Sequence, residues 1–103
     1  MATLIVLFNL KEGASASEYE VWAKSKDVPT VKGLASVDDF RVFRSSGLLG
    51  SDAPAPYEYI EVIEVNDMNN FGIDVSSERM QVIAAEFGAF ADNPMFILSE
   101  QSA

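Results

Sequence analysis

The feature that most constrains this chain is a pair of segments in which polar and apolar residues alternate, VDDFRVFRS at residues 37–45 and YEYIEVIEV at residues 57–65. Alternation has the period of a pleated strand, so each segment predicts a half-buried β-strand. The intervening SGLLGSDAPAP is rich in Gly, Pro, Ser and Ala, which predicts a loop and hence a hairpin. Antiparallel pairing about the middle of that loop opposes residues whose numbers sum to about 102. Arg44 then faces Glu58, Arg41 faces Glu61, Phe40 meets Val62, Val42 meets Ile60 and Phe43 meets Tyr59, each pair favourable by roughly 0.2–1 kcal/mol. Asp38 against Glu64 is the one unfavourable pair. In this register one sheet face carries Phe40, Val42, Ile60 and Val62, and the other carries Arg41, Phe43, Tyr57, Tyr59, Glu61 and Ile63.

The flanking segments complete a pattern. Thr3 to Asn9 (TLIVLFN) is apolar on both pleat faces, as a central strand covered on both sides requires. Ser15 with Glu18 fits a capping box, so a helix is expected from Ala16 with Tyr19, Trp22, Ala23 and Lys26 turned inward. Pro29 interrupts that periodicity, and Asp27 is expected to cap a second short helix that Gly33 ends. A further helical region is expected from about Asp67 to Phe90, broken near Gly72 to Ser76, with Ser76 capping a segment whose apolar stripe is Met80, Ile83, Ala84 and Phe87. Asp92, Asn93 and Pro94 predict a turn into a last strand, Met95 to Ser99. The order β-α-β-β-α-β is that of an α+β, ferredoxin-like sandwich in one domain spanning residues 1–103.

Composition narrows the chemistry. The chain has no cysteine and no histidine, which excludes disulfides, thiolate nucleophiles, cysteine-ligated metals, the usual neutral-pH base and the usual haem ligand. No cofactor and no metal are therefore expected. The formal charge is −9, and residues 51–103 hold one basic and ten acidic side chains against six of each in residues 1–50. Such a surface repels phosphate, so neither nucleic acid nor an anionic membrane is an expected partner. The short apolar start lacks a basic leader and reads as a strand, not a signal peptide, and no apolar run approaches the ~20 residues that span a bilayer. A cytoplasmic location is the expectation.

With both helices on one face, the other face of the sheet is left bare and apolar, and such patches mark association sites. A two-fold homodimer packed through that face, a dimeric α/β barrel, is expected.

The stretch DVPTVKGLASVDDFRVFRSSGLLGS, together with APYEYIEVIEV and AEFGAFADNPMFILSE, resembles the RedY-like or HapK-like proteins over nearly the whole chain. The resemblance implies the dimeric α/β-barrel fold and an association with prodigiosin-type pigment pathways. Wider relatives of that fold include cofactor-free monooxygenases and muconolactone-isomerase-like enzymes.

Several residues are candidates for chemistry. Tyr19 and Trp22, one helical turn apart, either line an aromatic pocket or pack the core. Asn9 either bonds a substrate carbonyl or holds a turn backbone. Tyr59, Arg41 and Glu61 form a polar group in which Arg41 and Glu61 make a structural ion pair or, with a shifted carboxyl, a base. Glu58 and Glu64 lie on the face opposite Glu61, so the three cannot form one ligand set. Two functions are open: a small-molecule protein of secondary or aromatic metabolism acting as a cofactor-independent oxygenase, cyclase or isomerase, or a non-catalytic dimer that shelters an apolar intermediate or docks on a partner enzyme.

Overall fold

The computed structural model describes residues 1–103. Strand β1 (Ala2–Leu10) lies inside a four-stranded sheet of order β2-β3-β1-β4, every neighbouring pair antiparallel. Its alternate residues Leu4, Val6 and Phe8 are buried beneath the helices. Thr3, Ile5, Leu7 and Asn9 occupy the opposite face.

Helix α1 (Ala16–Trp22) begins where the capping box predicts, with the Glu18 N–H donating to Ser15 Oγ at 3.2 Å. It continues without a break through a π-helical turn, Ala23–Asp27, into α2 (Val28–Lys32). Asp27 was expected to cap a separate helix, but its backbone is helical and its side chain caps nothing. Pro29 is tolerated because it falls in the first turn of α2, directly after the wide π turn. That turn inserts an extra residue, so Asp27 rotates inward in place of Lys26. Lys26 lies outside, 3.6 Å from Glu86.

The hairpin strands are β2 (Val37–Arg44) and β3 (Tyr59–Val65). Val37 pairs with Val65 as the symmetric register requires, but a bulge follows and absorbs one residue. Beyond it Phe40 opposes Ile63, Arg41 opposes Val62, Val42 opposes Glu61 and Phe43 opposes Ile60. The slip leaves Phe40 and Val42 on the helix side and reverses every side chain of β3 relative to expectation. Tyr59, Glu61, Ile63 and Val65 are buried under the helices, whereas Ile60 and Val62 face away. The cause is β1, whose buried Phe8, Val6 and Leu4 are paired with Tyr59, Glu61 and Ile63. Residues opposed across a ladder share a face, so the central strand chooses which side of β3 is covered.

Helix α3 (Met68–Asp74) starts at Asp67, whose carboxylate accepts the Asn70 N–H, and Asp74 accepts both the N–H and the hydroxyl of buried Ser36. The cap of α4 (Glu78–Phe90) is Ser77, not Ser76, which donates back to the Ile73 carbonyl. Strand β4 (Ala91–Ser99) leaves α4 directly. The expected turn at Asp92, Asn93 and Pro94 is instead an irregularity within the strand opposite Leu7 to Asn9, with Asn93 at φ 44°. Asparagine tolerates that left-handed backbone better than most residues. The result is an α+β ferredoxin-like fold with all helices on one side of the sheet. No helix is long and apolar enough to cross a membrane.

Candidate functional site

Between helices and sheet the molecule divides into a filled end and an open end. At the filled end Phe8 on β1 is ringed by aromatics: Tyr19 at 5.4 Å, Tyr59 at 5.5 Å and Phe87 at 5.0 Å between ring centres. Tyr19 also meets Tyr59 edge-on at 4.7 Å and Phe90 at 5.6 Å. Trp22 packs on Phe90 and donates its indole N–H to Glu86 at 3.0 Å. Tyr19 and Trp22, placed one turn apart by α1, are thus wedged among other rings. Tyr59 donates to Glu20 at 2.7 Å, and its phenol is pushed up to about 12, chiefly by burial and then by that hydrogen bond.

The open end lies over Leu4 and Val6, where β1 presents aliphatic side chains instead of a ring. A cavity of about 270 Å³ remains there, and 12 of its 14 lining residues are hydrophobic. Phe40, Phe71, Phe87 and Phe96 supply aromatic walls, and α3 is held over it by the Asp74 bonds to Ser36. Three larger hollows, of about 330, 390 and 440 Å³, are shallow depressions lined mostly by exposed or half-buried residues.

The two remaining lining residues are carboxyls, Asp27 and Glu61, each only 4% exposed. Glu61 accepts a hydrogen bond from the Tyr19 hydroxyl at 2.8 Å. Burial first, and then the neighbouring charge of Asp27, lift its carboxyl to about 8, partly offset by the Tyr19 bond. Burial alone lifts Asp27 to about 7, and no side chain or backbone group of the protein bonds its carboxyl. The same surroundings push the Tyr19 phenol far above its ordinary value, so it remains a donor. Two carboxyls with raised, closely spaced affinities for protons, on the wall of one apolar cavity, can give and take a proton near neutral pH. No group of three or more Asp, Glu, His or Cys side chains converges to hold a metal.

Of the residues nominated from sequence, only Glu61 lines this cavity directly, with Tyr19 acting on it through its hydroxyl. Asn9 binds backbone: its amide donates to the Pro56 carbonyl at 3.1 Å and its oxygen accepts the Glu58 N–H at 2.9 Å. Arg41 and Glu61 do not pair. The slipped register puts them on opposite faces, and Arg41 instead meets Asp39 at 3.1 Å beside the Phe43 ring. Arg44 likewise bonds Glu20 and not Glu58. Asp27 is the functional candidate that sequence reasoning passed over. The signal was its spacing, since Tyr19, Ala23 and Asp27 follow one another at i+4 along the inward stripe.

A ferredoxin-like sandwich with a carboxyl-bearing apolar cavity between its layers defines the class of protein. Residues 2–102 match the family model of the REDY-like protein HapK, and the chain belongs to that family. It is similar to HapK from Hahella chejuensis at 28% identity, with a TM-score of 0.77 and coverage of 100% of this chain and 95% of that one. SnoaB, a cofactor-independent oxygenase from Streptomyces nogalater, shares the fold at 15% identity and a TM-score of 0.74, over 99% of this chain and 93% of that one. So does a dimeric protein of ferredoxin-like fold from Bacteroides fragilis, at 12% identity and a TM-score of 0.69, over 97% and 95% of the two chains. No curated protein matches the sequence.

Proposed function

We propose that this chain is a homodimeric, cofactor-independent enzyme of secondary or aromatic metabolism that moves a proton on a small apolar or aromatic molecule, a cyclisation or an isomerisation. The observation that carries the reading is the pair of buried carboxyls, Asp27 and Glu61, on the wall of one apolar cavity. Near pH 7 the protonated Glu61, oriented by Tyr19, is the acid, and Asp27 is the base. The aromatic walls hold a flat substrate by area and exclude water, which keeps the two proton affinities apart from those of exposed carboxyls. Family membership supports the reading, as does a fold that in SnoaB carries an oxygenase working without a cofactor.

The assembly reading rests on the helix-free face. Ile5, Leu7, Ile60 and Val62 lie there beside exposed Phe43, Met95 and Ile97, a contiguous apolar surface of the kind that marks association. Sedimentation at micromolar concentration is expected to give a two-fold dimer, and a monomer there would refute the assembly.

The activity is tested by offering purified protein the bipyrroles and hydroxyaromatics suggested by the resemblance to pigment-pathway proteins. Conversion is expected, with a bell-shaped pH profile that loses one limb in Asp27→Asn and the other in Glu61→Gln. Stoichiometric binding without conversion would make the protein a sheltering dimer instead.

A further inference from the structure

We propose, resting on the cavity reading above, that the ligand of this site is a cation: a flat apolar molecule carrying a protonated nitrogen, received by the Asp27 carboxyl. Every polar group on the cavity wall is a carboxyl, and no Lys, Arg, Asn or Gln reaches it. Ionised, Asp27 accepts and cannot donate, whereas protonated Glu61 is neutral and puts no second charge beside it. Glu61 already has Tyr19 at 2.8 Å, whereas the Asp27 carboxyl bonds no group of the protein and its oxygens stay accessible on the wall of the cavity. A carboxylate that is open to the cavity and bonded to nothing in the protein is free to receive a cationic donor from whatever fills the space.

The alternatives fit worse. An anionic ligand would bring like charge into a site of low dielectric, where repulsion is strong and unscreened. A divalent metal ion would need about six oxygen ligands, and this wall offers two carboxyls among hydrophobic side chains. An organic cation meets the Asp27 carboxyl and a wall that includes four phenylalanine rings, whose faces attract positive charge.

Three probes with one ring system separate the cases: tryptamine (cation), 3-methylindole (neutral) and indole-3-acetate (anion). Binding is followed by calorimetry at pH 7.5 and about 1 M salt, which screens the acidic surface but not a buried charge. Tryptamine is expected to bind at least tenfold more tightly than indole-3-acetate. Asp27→Asn, close in size to the native residue, is expected to erase most of that preference while leaving 3-methylindole within twofold. Glu61→Gln is expected to retain it. Indole-3-acetate binding as well as tryptamine, or a preference that survives Asp27→Asn, would overturn the proposal. If 3-methylindole binds and the charge preference is absent, the cavity reading stands and this inference alone fails. If none of the three binds, both fail.

Discussion

The filled and open ends of the helix–sheet interface are built from the same two layers and differ mainly in side-chain volume. At one end Phe8, Tyr19, Tyr59 and Phe87 interlock, and at the other Leu4 and Val6 leave about 270 Å³ unoccupied. Close packing stabilises a fold, and empty apolar volume forfeits dispersion contacts. The difference therefore puts the packing that stabilises the fold at the first end and the space proposed for a ligand at the second. Tyr19 joins them, with its ring in the cluster and its hydroxyl on Glu61.

The comparison breaks most visibly at Phe8. Phe8→Ala is expected to cost about 3–5 kcal/mol of folding stability, measured by denaturant unfolding, because it empties the centre of the ring cluster. A loss under about 1 kcal/mol would mean that the filled end does not anchor the fold. Filling the open end should do the reverse. Val31→Phe is expected to change stability by less than about 1.5 kcal/mol, since the cavity can take the ring, yet to abolish binding of the small-molecule probes.

The carboxyls at the boundary make stability depend on pH. Glu61 rises from 4.5 to about 8 and Asp27 from 3.8 to about 7 on folding, so between these values the folded chain holds protons that the unfolded chain has released. Stability from this source is complete below about pH 4 and declines as pH rises toward 8. Glu61→Gln keeps an acceptor for Tyr19 but cannot ionise. It is expected to raise the melting temperature at pH 8 by about 5 °C and to do little at pH 5. An equal shift at both values would show that Glu61 does not titrate in this window.

The smallest effect is expected on the opposite face of the sheet. The Arg41 contact with Asp39 is exposed, and pairs of that kind are worth at most ~1 kcal/mol. Arg41→Ala should fold almost as stably as the native chain, and a loss of several kcal/mol would indicate that this arginine is buried against a partner.

Where local chemistry suffices, elements were legible from residues alone. The Ser15 and Glu18 cap placed the start of α1, and the alternation in residues 37–45 and 57–65 located both hairpin strands. Tyr19, Trp22, Tyr59 and Glu61 were all singled out, but the sequence did not show that Glu61 and Asp27 share a cavity. Asp27 followed by a proline-containing segment has the residues of a cap, which outweighed its i+4 spacing from Tyr19 and Ala23, and the π turn settles the choice by bringing Asp27 inward instead of Lys26. A bulge two residues into β2 is equally silent, because β2 pairs well on either side of it.

The sequence by itself determined the order of elements, the central place of β1 and the acidic, histidine-free chemistry available, since these follow from periodicity and composition. The tertiary structure alone decided which face of β3 is buried. Tyr59, Ile63 and Val65 on one face and Ile60 and Val62 on the other are both apolar enough to be covered, so hydrophobicity does not choose between them. The choice is made by pairing with β1, whose Phe8, Val6 and Leu4 bring Tyr59, Glu61 and Ile63 beneath the helices. A strand's side chains alternate with period two, so one residue of register carried Glu61 from the helix-free face into the cavity.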